Sequence, residues 1–447
     1  MSQNDHQPLH LIISARRPAE VLLVSSLIKL FHDNNWTIEI ALYENTDDIS
    51  ILQQFITDFE YFKVTRLPKL SNVARIVKEI LSNLVYYFDR KTDVFYANRQ
   101  LRRSSKKLNK FIVFFLSRID LLPPFFVRFI CSQIILVGRL LLNQIFYFNV
   151  VKRCTVSNFD SLIVVGGFIS GTGEDQLIAV ARKRKVPNYV YFRSHDTFNS
   201  KGTIGVVAQT FLVQNQMQSR LLSERHRIES PRLICGSVFF EDIFRLRLAF
   251  NSSTPPLNRQ NKSNDRESQI LFLSSSSTNS SSEVSFLLRN EEGAIKDGVL
   301  DEDRLFVRPH PSTIDIWENS SYKSRLIEKG NLNHRKLAFD FSYYSNFEAV
   351  FAVNTSAILD MLILLPSTPL FLIRNPSAIA QMNTSQYLDF LNSGIKEFPN
   401  LSCALQFLRK TDPAPLINCV NLDLLLPNLG KTNRIIFERV MQSVERK

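Results

Sequence analysis

The chain alternates short apolar runs with stretches of helical periodicity, and this alternation constrains its fold more than any other feature. The run "HLIISA" (10–15) has the length and composition of a buried strand, and residues 18–35 place apolar side chains at helical spacing. "WTIEIALYE" (36–44) is typical of a second strand. A strand, a helix and a strand in this order predict a parallel sheet covered by helices.

The same alternation continues through the rest of the chain, with one polar interruption. Residues 250–268, "FNSSTPPLNRQNKSNDRES", lack periodicity and have the composition of a linker. Further strands are predicted at 160–167, 186–192, 208–215 and 231–237 before it, and at 269–273, 304–309, 349–354 and 369–373 after it. We therefore predict an α/β protein with two Rossmann-like domains: an N-terminal domain at 1–245, a linker at 246–268 and a C-terminal domain at 269–447.

A basic, aromatic-rich stretch at about 86–153 is predicted to be a helical insertion in the N-terminal domain. It carries thirteen Lys and Arg residues against three Asp, in a chain of net charge +12. Arg118, Arg128 and Arg139 interrupt its apolar runs, so no run is expected to reach the ~18–20 residues that span a bilayer. The stretch suits the surface of an anionic membrane, while a pair of core helices with basic faces explains it equally well. No nucleic-acid partner is expected, because no nucleic-acid-binding motif is present.

The positions of the cysteines and of potential metal ligands indicate the cellular compartment and bear on whether a metal is expected. Five cysteines lie far apart without a CxxC pair, which fits a reducing compartment. The N-terminus lacks the basic and apolar regions of a signal peptide, so we expect a cytoplasmic protein. No HExxH pair and no DxD follows a predicted strand, so neither a metal nor another cofactor is expected.

The loop "FRSHDTFNSKG" (192–202) leaves a predicted strand and is dense in hydrogen-bonding groups. A cation and several short donors at a strand end can hold a phosphate or a polyol. Ser194 and His195 are candidate acceptor-binding residues, and Lys201 with Gly202 are candidate phosphate-binding residues. Asp196 is a candidate general base for an acceptor hydroxyl, although it can also simply cap a turn.

Two further strand ends carry residues suited to a diphosphate. In "FVRPHPS" (306–312), Arg308 offers a planar fork of donors, and His310 is held between two prolines and can stabilise or protonate a leaving phosphate. After the strand that ends at Asn354, the hydroxyls of Thr355 and Ser356 can cap the next helix. Such a cap is also compatible with a purely structural role.

Weaker signals lie after the first and third predicted strands. Arg16 and Arg17 follow the first strand, where an acceptor phosphate could bind, and a surface charge pair explains them equally well. "GGFISGTGED" (166–175) lacks the lysine of a P-loop and the spacing of a dinucleotide fingerprint. It is mainly a turn before a helix, with Glu174 a second candidate base.

The order of motifs from 158 to 245 resembles a group of bacterial surface-polysaccharide proteins of GT-B glycosyltransferase fold, related to CDP-glycerol glycerophosphotransferases. Their pattern S-W-D-N-x-x-S-K-G, followed by a strand and by a Gly-x-x-x-Phe-Asp element, is matched here with His195 in place of Trp and with further departures at Thr197 and Phe198. The matching positions are Ser194, Asp196, Ser200, Lys201, Gly202, Gln214, Asn215, Gly236 and Asp242. The resemblance extends more loosely to the second domain, where Asp360 takes the place of an acidic residue that contacts the donor ribose or sugar.

The resemblance implies a metal-independent glycosyltransferase of the cell envelope. The C-terminal domain would bind a nucleotide-sugar, and the N-terminal domain would bind a glycan or a lipid-linked acceptor at the inner face of the membrane, with a cleft between them. A glycerophosphotransferase or a nucleotide-sugar epimerase of the same fold, and a non-catalytic scaffold, remain open as alternatives.

Overall fold

A computed structural model describes most of the chain. It covers residues 8–43, 52, 62–84, 114, 118, 121–166, 172–192, 204–224, 226–253, 269–275, 280–310, 313–327, 347–375, 384–411 and 420–446. The chain divides into two compact units, the first formed by 1–241 with 427–447 and the second by 242–426. Each unit is built on its own parallel sheet.

The sheet of the first unit contains seven parallel strands among the described residues, in the order β3-β2-β1-β4-β5-β6-β7. The strands are β1 (His10–Ala15), β2 (Thr37–Leu42), β3 (Phe62–Arg66), β4 (Ser161–Gly166), β5 (Asn188–Phe192), β6 (Thr210–Val213) and β7 (Arg232–Ile234). The helices are α1 (Pro18–Leu22), α2 (Ser25–Asp33), α3 (Asn72–Leu84), α4 (Pro124–Arg153), α5 (Gln176–Lys183), α6 (Gln216–Glu224), α7 (Val238–Ser253), which continues into the second unit, and, at the chain's end, α14 (Thr432–Glu445).

The strands of this sheet are apolar throughout because both faces are covered, as is usual for parallel sheets. In β1, Leu11 and Ile13 lie in a core shared with α2 and α14, whereas Ile12 points to the opposite core beneath α3, α4 and α5. All three side chains are fully buried. The alternation of side chains along one strand thus supplies two hydrophobic cores.

The C-terminal helix belongs to the first unit, which differs from the predicted domain limits of 1–245, 246–268 and 269–447. Phe437 of α14 packs on Phe31 of α2 with ring centroids 5.0 Å apart. The backbone N–H of Asn433 donates to Glu241 at 2.9 Å, and its side chain donates to Ser26 at 2.8 Å. The apolar stripe of α14 therefore completes the core beneath α2, a return of the chain that local patterns do not reveal.

The second unit contains five parallel strands among the described residues, in the order β12-β11-β10-β8-β9. The strands are β8 (Gln269–Leu273), β9 (Leu305–Arg308), β10 (Phe347–Ala352), β11 (Leu370–Ile373) and β12 (Lys396–Phe398). The helices are α8 (Ser280–Lys296), α9 (Ile314–Glu318), α10 (Ala357–Leu364), α11 (Thr384–Asn392), α12 (Leu401–Lys410) and α13 (Leu422–Leu425). The predicted α/β class with two Rossmann-like units is confirmed by these two sheets.

Helix α4 is the described part of the predicted insertion at 86–153; residues 85–113 lie outside the described residues. By length and composition the helix from Phe125 to Arg153 is apolar enough to cross a membrane. The expectation that arginines keep every apolar run too short was therefore wrong. One such helix is weak support for a membrane span, because core helices of soluble proteins have the same composition. In this chain, one face of α4 is packed into the first unit.

Candidate functional site

The strand order of the second unit reverses between β8 and β10. The chain leaves β8 towards β9 on one side and returns to build β10, β11 and β12 on the other. In doubly wound sheets, ligands bind outside the carboxyl ends of the strands at this reversal point. The candidate site of the second unit is accordingly formed by the residues that follow β8, β9 and β10.

Arg308 closes β9 and points into this region with only 7% of its side chain exposed. Its Nη1 lies 3.4 Å from Oδ2 of Asp360, which is 15% exposed and stands in the first turn of α10. Both residues were predicted to bind the donor, and the structure brings them together. An arginine fork oriented by a carboxylate and shielded from water is a strong recognition group for phosphate.

His310 is fixed through its backbone. Its N–H donates to Oγ of Ser274 at 2.8 Å, and its carbonyl accepts from the N–H and Oγ of Thr313 at 2.9 and 3.1 Å. The Ser274 N–H in turn donates to the Arg308 carbonyl at 3.0 Å. The ends of β8 and β9 are thereby tied together, so that the predicted "RPHP" segment starts from a rigid base.

Asn354, Thr355 and Ser356 follow β10, directly beside the end of β8 in the sheet. Thr355 stands one residue before the N-cap of α10, and its Oγ1 accepts from the Ala357 N–H at 3.4 Å. Ser356 occupies the N-cap position, but its side chain is exposed and makes no cap hydrogen bond. Thr355 is buried, so the two hydroxyls face different surroundings.

A buried carboxyl group supports the loop that follows β8. Glu283, in the first turn of α8, accepts from the N–H of Ser275 at 3.1 Å and from its Oγ at 2.7 Å. Burial raises the pKa of Glu283 to about 7, although the hydrogen bonds from Ser275 act in the opposite direction. The conformation of this loop is thus linked to a carboxyl group that titrates near neutral pH.

The first sheet has its own reversal point, between β1 and β4. Ser14, in β1, donates from Oγ to the Glu174 carbonyl at 2.7 Å. Arg16 donates from its backbone N–H to Glu20 at 3.0 Å, and its Nε lies 3.7 Å from the same carboxylate. Arg17 is exposed at the start of α1. The two predicted acceptor-binding residues therefore lie in different surroundings. Arg16 is paired with Glu20, and Arg17 is exposed.

Glu174 lies in a buried polar cluster beneath that reversal point. It is 1% exposed, and its Oε2 has no hydrogen-bond partner among the described residues. Beside it, Lys78 and Asp175 form a fully buried ion pair at 2.9 Å, and Lys78 also donates to the Thr172 carbonyl. Burial raises the pKa of Glu174, and nearby Lys78 acts in the opposite direction. A carboxyl group so shielded favours a structural role over proton transfer with a substrate.

Five predicted residues, Ser194, His195, Asp196, Lys201 and Gly202, lie outside the described residues. The strand before their loop is held at its end, because Nε2 of Gln214 donates to the Phe192 carbonyl at 2.9 Å. Asn215 accepts from the Gln218 N–H at 3.0 Å and fixes the start of α6. Two positions of the resembling motif, Gln214 and Asn215, therefore serve to position neighbouring backbone.

Gly236, a third position of that motif, has a backbone reason for being glycine. Its φ is +90°, and a Cβ built on it would lie 2.4 Å from the Pro427 carbonyl oxygen. The glycine therefore allows the segment before α14 to approach the turn after β7. Its role in the motif is explained by chain packing without any ligand.

Several polar residues of these sites were missed or undervalued from the sequence. Glu20, in α1, pairs with Arg16 of the loop that precedes the helix. Lys78 and Asp175 are separated by 97 residues, and no local pattern links them. Ser274 opens a serine-rich run (274–282) whose low-complexity composition does not single out one structural residue. Among the described residues, no three His, Cys, Asp or Glu side chains are grouped to hold a metal ion.

Comparison with known proteins yields distant likenesses of fold. No family profile and no curated sequence matches the chain. Solved structures similar to it include UDP-GlcNAc 2-epimerase from Methanocaldococcus jannaschii, at 13% identity and a TM-score of 0.47 over 97% of this chain and 100% of that one. MurG from Acinetobacter baumannii matches at 8% identity and a TM-score of 0.45, over 97% and 100%. The wall teichoic acid polymerase TagF matches at 8% and 0.45, over 100% and 91%.

Likenesses at this level carry no argument about the activity of the chain. What the structure itself defines is a doubly wound α/β protein with two parallel sheets, each with a reversal point. The reversal point of the second unit places a shielded arginine, an ordered backbone and buried hydroxyl groups together.

Proposed function

We propose that the chain is a transferase whose second unit binds the diphosphate of a nucleotide-sugar at the reversal point between β8 and β10. The observation that carries this proposal is Arg308, a nearly buried arginine that closes β9 and is oriented by Asp360. The Asp360 carboxylate holds the Arg308 guanidinium in this shielded position. A diphosphate would supply a second anionic partner beside Asp360 and would fit the arginine fork.

The other groups at this site complement the same ligand. Thr355 and the backbone amides at the start of α10 follow β10, where a helix N-terminus favours negative charge. The backbone of His310 is fixed by hydrogen bonds with Ser274 and Thr313. Its imidazole would donate a proton to the leaving phosphate. Asp360 would hold the Arg308 fork in its binding orientation, in addition to the donor ribose contact expected from the sequence.

In the proposed reaction, an acceptor hydroxyl attacks the anomeric carbon of the sugar. The bond from that carbon to the diphosphate oxygen breaks, the diphosphate leaves with the electron pair, and the hydroxyl proton passes to a carboxylate. Arg308 and His310 would stabilise the leaving group, a role that electrostatic groups fulfil without a metal. We assign the proton acceptor to Asp196, because Glu174 is shielded at 1% exposure.

The acceptor is assigned to the first unit. Arg16 and Arg17 follow β1, and the loop carrying Ser194, His195 and Lys201 follows β5. We propose a glycan or lipid-linked acceptor in cell-surface polysaccharide synthesis at the cytoplasmic face of the membrane. This part of the proposal is supported by the sequence resemblance of residues 158–245.

Calorimetry with a panel of nucleotides tests the proposal. UDP, CDP, GDP, dTDP and CMP would be titrated into the protein, followed by their sugar derivatives and CDP-glycerol. We expect one nucleoside diphosphate to bind, and its labelled sugar derivative to be transferred to a glycan acceptor. Turnover of CDP-glycerol instead would indicate a glycerophosphotransferase, and interconversion of the sugar without an acceptor an epimerase. If no nucleotide binds, the transferase proposal fails and a scaffold role gains support.

A further inference from the structure

Helix α4 presents two opposite apolar faces, of which only one is used by the fold. Val127, Cys131, Ile135, Leu142, Phe146 and Val150 are buried in the core of the first unit. The apolar face of α4 consists of Phe126, Phe129, Leu136, Leu140, Phe148 and Val151, each between 52% and 62% exposed. With about 3.6 residues per turn, the two sets fall on opposite sides of the helix. Exposed apolar surface of this extent marks an interaction site.

The arginine in the middle of α4 does not interrupt this face. Arg139 turns to the protein side, where its guanidinium donates to the carbonyls of Ile204, Arg227 and His226 at 3.4, 3.3 and 2.5 Å. The exposed apolar surface therefore runs past the position where the sequence suggested an interruption. The same bonds, together with the buried face, attach the helix to the first unit along its length.

A cationic groove adjoins the apolar face. It has a volume of about 650 Å³, and its walls include Leu136 and Leu140 of the apolar face. Arg139, Arg182, Lys185 and Arg227 contribute positive charge to the groove, and Glu229 contributes one carboxylate. A pocket that is apolar on the side of the helix and basic on the other matches an acidic lipid, with acyl chains against α4 and a phosphate among the basic groups.

The charge of the surrounding sequence favours the same partner. No Asp or Glu occurs from Leu121 to Phe159, and Lys152 and Arg153 are exposed at the end of α4. Aromatic and aliphatic side chains flanked by basic residues suit the interface of an anionic bilayer. A second copy of the chain would bring the same basic groups together and is opposed by their repulsion.

We propose that α4 lies flat on an anionic phospholipid bilayer, with its apolar face among the acyl chains and the cationic groove on a lipid headgroup. The helix does not cross the bilayer, because its opposite face and Arg139 stay bound to the first unit. This inference stands independently of the proposed transferase activity, since it concerns a surface that contains none of the proposed substrate-binding residues.

Vesicle flotation of the full chain tests the inference. We expect the protein to float with vesicles of phosphatidylcholine and phosphatidylglycerol, and to float much less with phosphatidylcholine alone. The double variant Leu136→Asp with Leu140→Asp should lose at least about tenfold in partitioning, since each change places a charge in the membrane-facing surface. The matched control, Leu246→Asp with Leu248→Asp, alters exposed leucines on α7 and should partition like the unaltered protein.

The groove is tested separately with Arg182→Gln and Lys185→Gln together. Loss of two basic side chains near an anionic surface should lower partitioning about tenfold, without changing the small binding to phosphatidylcholine. The inference is overturned if the unaltered protein does not float, or if the leucine variant floats as well as its control. It is also overturned if the protein never binds vesicles and sedimentation shows a dimer that the leucine variant fails to form.

Depth measurements distinguish a flat helix from a spanning one. Single Trp replacements at Phe129, Leu140 and Phe148 would be quenched by lipids brominated at known depths, while Trp36 and Trp317 are buried in the protein. A flat helix places all three probes at one shallow depth. A much deeper probe at position 140 than at the two ends would contradict the proposal.

Discussion

At the scale of single residues, the two sheets use buried charge in different ways. Arg308 is shielded and lies beside Asp360 at the end of β9, next to the reversal point of its sheet. Lys78 and Asp175 are fully buried and bind each other and a backbone carbonyl. The first arrangement is suited to recognising an anion, and the second to holding the segment after β4 in place.

Replacing Lys78 with Met should destabilise the first unit strongly. The change leaves Asp175 buried without its partner, and the loss of one member of a buried pair costs about 3–5 kcal/mol of unfolding free energy. Denaturant unfolding measures the cost. The double variant Lys78→Met with Asp175→Leu removes both charges and should recover much of that stability; equal instability of the two variants would contradict this account.

The stability of the second unit should depend on the protonation of Glu283. Burial raises its pKa from the ordinary value of 4.5 to about 7, so the folded state binds its proton more tightly than the unfolded state. The resulting stabilisation is complete below about pH 4.5 and is lost as the pH rises towards about 7.

The variant Glu283→Gln, which mimics the protonated group, should be less sensitive to pH than the unaltered protein. Its melting temperature relative to that protein should rise between about pH 5 and about pH 8. Glu292→Gln, an exposed change on the same helix, is the matched control and should track the unaltered protein. Parallel curves for all three proteins would refute the role given to Glu283.

The two candidate bases should separate in activity measurements. Asp196→Asn should lower the transfer rate about 100-fold or more, the usual contribution of a general base. Glu174→Gln should keep the transfer rate within a few-fold of that of the unaltered protein, because the Glu174 carboxyl group is shielded from solvent. The reverse ranking would move the proton acceptor to Glu174.

At the scale of elements, packing on both faces of each sheet decides which segments belong together. Helix α14 joins the first unit because Phe437 and Asn433 complete contacts that α2 and α7 leave open. The preceding segment reaches this position by passing within van der Waals distance of Gly236. One glycine therefore determines how closely the returning chain approaches the turn after β7.

The variant Gly236→Ala should destabilise the first unit by about 1–3 kcal/mol. The alanine must adopt a φ of +90°, and its Cβ would lie 2.4 Å from the Pro427 carbonyl oxygen. Gly293→Ala is the control, since Gly293 lies within α8 and a Cβ there meets nothing within 4 Å. That change should be neutral or stabilising by up to about 1 kcal/mol. Thermal unfolding of both variants gives the comparison, and equal effects would refute the account.

At the scale of the whole molecule, the predictable part is the alternation of strands and helices. Runs such as "HLIISA" and "QILFL" appear as β1 and β8 because parallel strands buried on both faces must be apolar throughout. Arg308, His310 and Thr355 were singled out as candidates because they stand at or just after the ends of such runs. Positions fixed by packing were not predictable: α14 returns to the first unit, and Arg139 turns its charge away from an exposed apolar face.

The most direct test of the central claim is the affinity of Arg308 variants for the nucleoside diphosphate that the unaltered protein binds best. Arg308→Gln and Arg308→Lys would be compared by calorimetry with Arg289→Gln, which removes an exposed arginine from α8. Loss of a charged hydrogen bond to phosphate should weaken binding about tenfold or more in Arg308→Gln, less in Arg308→Lys, and not in the control. Unchanged affinity in Arg308→Gln would contradict the assignment of this site.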